Sequence, residues 1–172
     1  TLSEVQLLLQ QADDIDRDYY IVRFFTGMRT GEIDGLQWRY VDFEKSLILI
    51  RETVVGCRIE HTKTFFSARE ITMSSIVRDA LQRQYQRTGD KKFVFGTKND
   101  TPPNHSNITK RIWYPLLERC GLRQRHPYQT RHTAATLWLA AGENPEWIAR
   151  QMGHTSTEML FRIYSRYVPN LT

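Results

Sequence analysis

The spacing of apolar side chains in the first forty residues predicts helices. Thr1-x-x-Glu4 has the form of a capping box at the start of a first helix. Acidic residues within 13–18 favour the start of a second helix, because carboxylates suit the positive end of the helix dipole. The second helix runs into a turn over 26–31 that contains two glycines, and a short helix begins at Glu32.

The middle of the chain changes to extended patterns. The runs 46–50, 53–59 and 69–72 are rich in β-branched side chains and predict three strands. We expect them to form a small antiparallel sheet, with Lys63 in the linker before the last strand.

Helical spacing returns in the second half of the chain. Asn144 and Pro145 form a typical helix start, and Gly153 a typical helix end. Thr155 and Glu158 have the spacing of a second capping box. The fold class is therefore mainly α with a small three-stranded antiparallel sheet. The predicted helices cover 75–87, 107–120, 128–141, 146–152 and 155–168, and the composition of 96–107 predicts a loop.

Length and composition narrow the class of protein. A chain of 172 residues is the size of one domain, and its aromatic content of 12% argues against disorder. It has no apolar run of about 20 residues, so no transmembrane span is expected. The polar first residues do not form a signal peptide, and we expect the chain to be a piece of a longer protein. Two cysteines, Cys57 and Cys120, suggest a reducing compartment and a packing role.

The charge is distributed unevenly along the chain. The net charge is +5, yet residues 1–50 hold nine acidic and five basic side chains. Residues 110–132 hold six basic side chains and one acidic side chain. Such a concentration of arginine favours a polyanionic partner such as nucleic acid. The alternative is a solvated basic face without a partner.

Several catalytic motifs are absent from the sequence. It has no P-loop, no HExxH, no CxxC and no GxSxG, and its five histidines lack the spacing of metal ligands. What remains is a set of Arg, Lys, His and Tyr residues near the ends of predicted helices. This set suits phosphoryl transfer without a metal, by cations around the phosphate and a side-chain nucleophile.

Three motifs occur in a fixed order. The first motif, TGMRTGEIDGLQW, covers 26–38; the second motif, PYQTRHTAAT, covers 127–136; the third motif, MGHT, covers 152–155 and is followed by Tyr164. Together they resemble the signature boxes of the tyrosine recombinases, the phage integrase family. The resemblance implies that 1–172 form a single catalytic domain with the tyrosine recombinase fold. It also implies that the N-terminal DNA-binding domain of the parent protein is absent from this sequence.

The resemblance implies roles for individual side chains. Arg29 and Arg131 correspond to the two arginines that contact the scissile phosphate, and His154 to a residue that hydrogen-bonds it. Lys63 corresponds to the general acid that protonates the leaving 5′ oxygen. Tyr164 corresponds to the nucleophile, which forms a 3′-phosphotyrosyl link to DNA.

Other interpretations of Tyr164 remain open. Tyr167 is a rival nucleophile nearly one turn further on. Leu160, Tyr164 and Val168 also lie on one helix face, so Tyr164 can be a core residue. The tyrosine follows His154 by ten residues, whereas many members of the family have nine.

The second motif departs from the family pattern at Tyr128, where a histidine is usual three residues before the arginine. A tyrosine can donate a hydrogen bond to phosphate but is a poor base at neutral pH, so Tyr128 is kept as a candidate catalytic residue. His154 or the phosphate itself can then take the proton of the nucleophile. Glu32 corresponds to a carboxylate that positions its neighbours, and His132 is interpreted as structural.

The function implied is that of a site-specific recombinase that integrates or excises a phage, prophage or other mobile element. No metal, cofactor or ATP is expected. The alternatives are a resolvase of DNA dimers and a type IB topoisomerase, which share the chemistry, and a non-catalytic DNA-binding regulator with the same fold.

The expected partner is double-stranded DNA in the bacterial cytoplasm, within the nucleoid. The resemblance implies a homotetramer on DNA and allows a monomer in the free state, with accessory DNA-bending proteins as further partners. The basic side chains expected to contact DNA are Lys110, Arg111, Arg123 and Arg125.

Overall fold

The computed structural model describes residues 1–62 and 67–165. Lys63 and Tyr167 therefore lie outside the described residues. The described part is mostly helical with a small sheet, as the sequence predicts. Its α-helices are α1 (Leu2–Gln11), α2 (Asp14–Thr26), α3 (Thr30–Asp34), α4 (Ser75–Thr88), α5 (His105–Ile108), α6 (Tyr114–Arg119), α7 (Gln129–Ala140), α8 (Pro145–Met152) and α9 (Thr157–Tyr164).

Two of the predicted helix signals are confirmed. The Thr1 hydroxyl accepts a hydrogen bond from the backbone N–H of Glu4, whose carboxylate bonds back to Thr1, and this completes the capping box of α1. Asn144 caps α8 through its side chain, Pro145 is the first helical residue, and Gly153 ends the helix at φ +70°.

Two helix predictions need correction. The capping box expected at Thr155 does not form, because α9 begins at Thr157 and its N-cap, Ser156, makes no side-chain hydrogen bond to the helix. The helix predicted over 107–120 is not regular. It begins two residues earlier as α5, and a π-helical turn, Thr109–Trp113, separates α5 from α6.

The β-structure differs from the predicted three strands. The run 53–59 does not form one strand: Gly56 and Cys57, with φ of +55° and +65°, turn it into a hairpin. Cys57 is thus exposed in a turn and is not a packing residue. The strands are β1 (Val41–Asp42), β2 (Leu47–Ile50), β3 (Glu52–Val55), β4 (Arg58–His61) and β5 (Arg69–Thr72); the antiparallel order β1-β2-β5 makes the three-stranded sheet, and β3-β4 is the separate hairpin.

The β3-β4 hairpin lies directly on α3. A Cβ atom at Gly31 would come within 2.5 Å of the Thr53 hydroxyl oxygen and of the Val54 carbonyl oxygen. A Cβ at Gly35 would come within 2.8 Å of a Val54 methyl group. These two glycines allow backbone and side chains of β3 to touch the helix, so α3 and the hairpin pack as one unit.

The buried apolar residues form two clusters. The larger one joins α1, α2, α3, α4, α6 and the three-stranded sheet, and it includes Tyr20, Ile48 and Leu81. The smaller cluster joins α7, α8 and α9. Its members are Ala135, Leu139, Ile148, Met152, Leu160 and Tyr164.

Arg23 ties α2 to the start of α7. Its guanidinium is 1% exposed and donates to the Thr130 hydroxyl at 3.1 Å and to the Pro127 carbonyl at 3.0 Å. It also donates to the Tyr19 hydroxyl at 3.2 Å. This buried arginine therefore fixes the second motif against the helix that leads into the first.

Asp34 lies buried beside the same network. Tyr19 donates a hydrogen bond of 2.7 Å to its carboxylate, and His105 Nδ1 lies 3.7 Å from the other oxygen. Burial raises the pKa of Asp34 to about 6, against the opposing effects of the Tyr19 hydrogen bond and the Arg23 charge. A raised folded-state pKa means that stability from this group is lost as the pH rises through 6.

We therefore expect Asp34→Asn to stabilise the protein at pH 8 by on the order of 1–2 kcal/mol. Asparagine keeps the acceptor for Tyr19 and removes the buried charge. The gain should vanish near pH 4, where the wild-type carboxyl is neutral in the folded protein. Urea unfolding at both pH values measures it, with the exposed Asp90→Asn as control. A loss of stability at pH 8 would mean that the ionised carboxylate is held by His105 instead.

Candidate active site

Arg29 lies at the N-cap of α3, where the chain leaves the turn after α2. Its backbone N–H donates to Glu32 Oε2 at 2.8 Å, and its Nη1 lies 3.1 Å from Glu32 Oε1. Its Nη2 lies 3.5 Å from the Gly153 carbonyl oxygen. The side chain is 37% exposed. The backbone of Arg29 is thus fixed by Glu32, while solvent or a ligand can reach its guanidinium group.

Arg131, in the first turn of α7, is 2% exposed. One of its guanidinium nitrogens donates to the Gly27 carbonyl oxygen and another to the Met152 carbonyl oxygen. Burial lowers the pKa of Arg131 to about 10, and the charge of Arg29 acts in the same direction. The side chain therefore remains a cation at neutral pH and joins all three motifs.

Glu32 lies between two guanidinium groups. Its carboxylate is 3% exposed and accepts hydrogen bonds from both Arg29 and Arg69. Arg69 Nη1 and Nη2 lie 2.8 Å and 2.9 Å from its two oxygens. Burial alone would raise the pKa of Glu32, but the hydrogen bonds and charge of Arg69, then the charge of Arg29, hold it below its usual value. Glu32 is therefore a buried carboxylate that organises two cations.

Arg69 is a member of this cluster that the sequence analysis missed. It begins β5, where Arg69 and Ile71 are buried while their neighbours in the strand are exposed. Alternate residues of a strand lie on the same face. The alternation around Ile71 was thus the signal that Arg69 faces inward.

His154 follows the end of α8. Gly153 takes the left-handed conformation, and the backbone N–H of His154 then donates to the Ala149 carbonyl at 2.9 Å. Burial, and then the charges of Arg131, Arg29 and Arg69, lower the pKa of His154 to about 4. Its Nδ1 is buried and has no hydrogen-bond partner among residues 1–62 and 67–165. The ring is neutral at pH 7 and carries an unused polar atom beside the arginines.

Tyr164, in the last turn of α9, is 3% exposed and belongs to the smaller core cluster. Its hydroxyl contacts His132 Nδ1. The His132 ring in turn meets the Tyr128 ring edge-on, with the centroids 5.3 Å apart. Burial, and then the charge of Arg131, lower the pKa of His132, which favours the neutral ring.

The structure thus groups the predicted site residues in two places that adjoin through α7. Glu32, Arg29, Arg131 and His154 form one cluster. Tyr164 meets His132, the neighbour of Arg131 in the chain. A cavity of about 600 Å³ opens beside Tyr164 and His132, and α1 and α7 line most of its wall. Its lining does not include Arg29, Arg131 or His154.

The four side chains predicted to contact DNA differ in their surroundings. Lys110 and Arg111 are exposed on the π-helical turn, and Arg123 is exposed in the loop before α7. Arg125 is half-buried and lies 3.2 Å from a Glu4 carboxylate oxygen, which offsets its charge. Three of the four are therefore freely presented to solvent.

Two features of the described residues bear on the kinds of partner the chain can have. Every helix there is too short or too polar to cross a lipid bilayer. In the same part of the chain, no three His, Cys, Asp or Glu side chains lie close enough together to hold a metal ion.

Comparison with known proteins identifies relatives over the whole chain. The family model described as phage integrase family matches residues 1–169. The prophage integrase IntR of Escherichia coli (strain K12) is 28% identical over 98% of this chain and 47% of its own length. The tyrosine recombinase XerC-like protein of Caldanaerobacter subterraneus subsp. tengcongensis is 24% identical over 87% of this chain and 45% of its own length. The chain spans about half the length of the curated relatives it matches.

Solved structures show the same fold. The integrase of transposon Tn1549, in complex with circular intermediate DNA, superposes with a TM-score of 0.84 at 24% identity, over 100% of this chain and 62% of that chain. The XerA recombinase superposes with a TM-score of 0.75 at 22% identity, over 99% of this chain and 65% of that chain. The predicted tyrosine recombinase fold is confirmed.

Proposed function

The chain belongs to the phage integrase family, and on that premise we propose that it is the catalytic part of a site-specific DNA recombinase. The observation that carries the proposal is the cluster of Arg29, Arg131 and His154 around the buried carboxylate of Glu32. Two guanidinium groups place several donors around the non-bridging oxygens of a phosphodiester. They stabilise the charge that develops there during phosphoryl transfer.

The proposed reaction is a transesterification. Tyr164 Oη forms a bond to the phosphorus, and the bond from phosphorus to the 5′ oxygen breaks. The leaving oxygen takes a proton from Lys63, which lies outside the described residues. The resulting 3′-phosphotyrosyl link keeps the energy of the broken bond, so a second 5′-hydroxyl can reverse the step and join a new strand without ATP.

The proton of Tyr164 needs an acceptor, and His132 Nδ1 is in contact with the hydroxyl. Tyr128 lies at the position where the family pattern has a histidine, and a phenol is a poor base at neutral pH. His132, rather than Tyr128, therefore takes the proton in the proposed reaction. Tyr128 packs edge-on against the His132 ring and helps to orient it.

We expect His132→Phe to slow formation of the covalent adduct by about 100-fold, because it removes the acceptor and keeps a ring. The wild-type rate should fall as the pH drops through the lowered pKa of His132, because protonation removes the acceptor. The variant should lack that fall. Single-turnover rates between pH 5.5 and 8 measure both effects, and His105→Phe controls for the loss of a half-buried imidazole elsewhere. An unchanged pH profile in His132→Phe would contradict the role.

Double-stranded DNA from a mobile element is the proposed substrate, in the bacterial cytoplasm, with a homotetramer as the active assembly. The exposed cations Lys110, Arg111 and Arg123 support binding along the phosphate backbone. Such contacts release counterions, so DNA affinity should fall steeply with salt. Integration or excision of a prophage or transposon is favoured over dimer resolution by the resemblance to a prophage integrase.

The test of this function is a covalent-trapping assay. The full-length parent protein is mixed with a duplex from the ends of its own genetic element, nicked near the cleavage point. The short 5′ fragment then diffuses away, and the protein–DNA adduct accumulates on a denaturing gel. An adduct in the absence of ATP and in the presence of EDTA supports the proposal. A salt-sensitive complex without any adduct would favour a non-catalytic DNA-binding regulator.

A further inference from the structure

Arg69 connects three parts of the candidate site through one side chain. Its two terminal nitrogens donate to both oxygens of Glu32, at 2.8 Å and 2.9 Å. Its Nε donates to the Gln151 carbonyl at 2.8 Å, two residues before the third-motif glycine. Its side chain is 7% exposed, against 37% for Arg29. Arg69 is thus enclosed by protein, whereas Arg29 faces outward.

Gly153 shows how closely the two guanidinium groups and the third motif approach each other. A Cβ atom at Gly153 would lie 3.0 Å from Arg69 Nη1 and 3.2 Å from Arg29 Nη1. The backbone that precedes His154 therefore rests on both arginines. A shift of the Arg69 side chain would be transmitted directly to that backbone.

The buried carboxylate of Glu32 needs a cationic partner, and Arg69 provides it. A buried ionised carboxylate is costly unless it is paired with a cation. Arg69 offers a planar fork that satisfies both oxygens at once, which lysine cannot do. Without the charge of Arg69, Arg29 would be the cation left at Glu32, and the carboxylate would draw it inward. Arg29 would then be less available to a phosphate.

We propose that Arg69 is a positioning residue of the recombination site, which neutralises Glu32 so that Arg29 stays available to the scissile phosphate. It also holds the end of α8 at the Gln151 carbonyl, and hence the backbone that leads to His154. This inference rests on the proposed function. Within residues 1–62 and 67–165, Arg131 from α7 and His154 after α8 are further charged or titratable groups that face this cluster.

The experiment measures contact with the phosphate without chemistry. Full-length protein carrying Tyr164→Phe is bound to two duplexes from its own element, which differ only at the mapped cleavage point. One has the natural phosphodiester there and the other an uncharged methylphosphonate. The ratio of their dissociation constants reports how strongly the arginines engage that phosphate. We expect a ratio of about 10 in the Tyr164→Phe protein. Adding Arg69→Gln to that protein should lower the ratio to below about 3.

A second substitution separates positioning from general structure. If Glu32 captures Arg29 when Arg69 is absent, adding Glu32→Gln to Arg69→Gln should restore the ratio to at least 5. Arg69→Lys keeps the cation and should keep most of the discrimination, which covers the case in which Arg69→Gln does not fold. Arg78→Gln is the matched control, because Arg78 also anchors backbone, through the Phe43 carbonyl and the Ser46 hydroxyl, away from Glu32.

Each possible result of these measurements has its own interpretation. A ratio near 1 in the Tyr164→Phe protein would contradict the proposed function, and the role of Arg69 with it. A ratio of about 10 both in the Tyr164→Phe protein and after adding Arg69→Gln would overturn the role of Arg69 and leave the proposed function standing. A double variant no better than Arg69→Gln, or a lysine variant as poor as the glutamine variant, would overturn the electrostatic argument.

Discussion

Tyr164→Phe is expected to abolish the covalent protein–DNA adduct and to leave DNA affinity within about twofold of wild type. The phenylalanine ring fills the same place among Leu139, Ile148 and Leu160, so the core cluster is kept. Only the hydroxyl is lost, and with it the atom that would bond to phosphorus. The measurement is the nicked-duplex assay on a denaturing gel, with binding followed separately by a mobility shift at several salt concentrations.

Tyr167→Phe is the matched control for this prediction. Tyr167 is the other tyrosine near the end of α9, and it lies outside the described residues. Adduct formation should persist in this variant. An adduct that persists in Tyr164→Phe and disappears in Tyr167→Phe would move the nucleophile by three positions and reduce Tyr164 to a core residue.

Arg131→Lys should lower the rate of adduct formation by on the order of 1,000-fold and destabilise the protein by about 2–4 kcal/mol. Arg131 donates to the Gly27 and Met152 carbonyl oxygens at the same time. A lysine ammonium cannot reproduce this fork and would leave a buried carbonyl without its partner. It would also place its charge at a single point beside the phosphate.

Thermal unfolding and single-turnover cleavage separate the two effects, provided that cleavage is measured well below the midpoint of unfolding. Arg123→Lys, on an exposed loop, should change neither quantity appreciably. A lysine variant that cleaves at the wild-type rate would show that the charge of Arg131 matters and its two-carbonyl bridge does not.

Local chemistry explains which helix ends the sequence predicts. The capping box at Thr1 and the Asn144–Pro145 start of α8 depend on neighbours within four residues, and both are confirmed. The run 53–59 was predicted wrongly as one strand. Its turn depends on positive φ at Gly56 and Cys57, and β-branched composition on either side conceals such a turn.

The residues of the candidate site also divide into those that local motifs predict and those that only the packing of the fold reveals. Arg29, Glu32, Arg131 and His154 follow from motifs with fixed spacing, and the fold brings them together. Their catalytic roles stay predictions. The contact between His132 and Tyr164 depends on how α7 and α9 approach each other, which no local pattern contains. From the sequence alone, His132 is accordingly interpreted as a structural residue.

The seating of the β3-β4 hairpin on Gly31 and Gly35 has a consequence for the evolution of such domains. Around the tip, a Cβ at Gly56 would meet no atom within 4 Å from the described residues other than its chain neighbours, so the hairpin can lengthen or shorten at that end. The base has no such freedom, because a single methyl group at Gly31 would overlap the Val54 carbonyl. Insertions or deletions at the tip can therefore be accommodated while the base of the hairpin stays fixed on α3. Such changes would leave Glu32, which lies in α3, in its place.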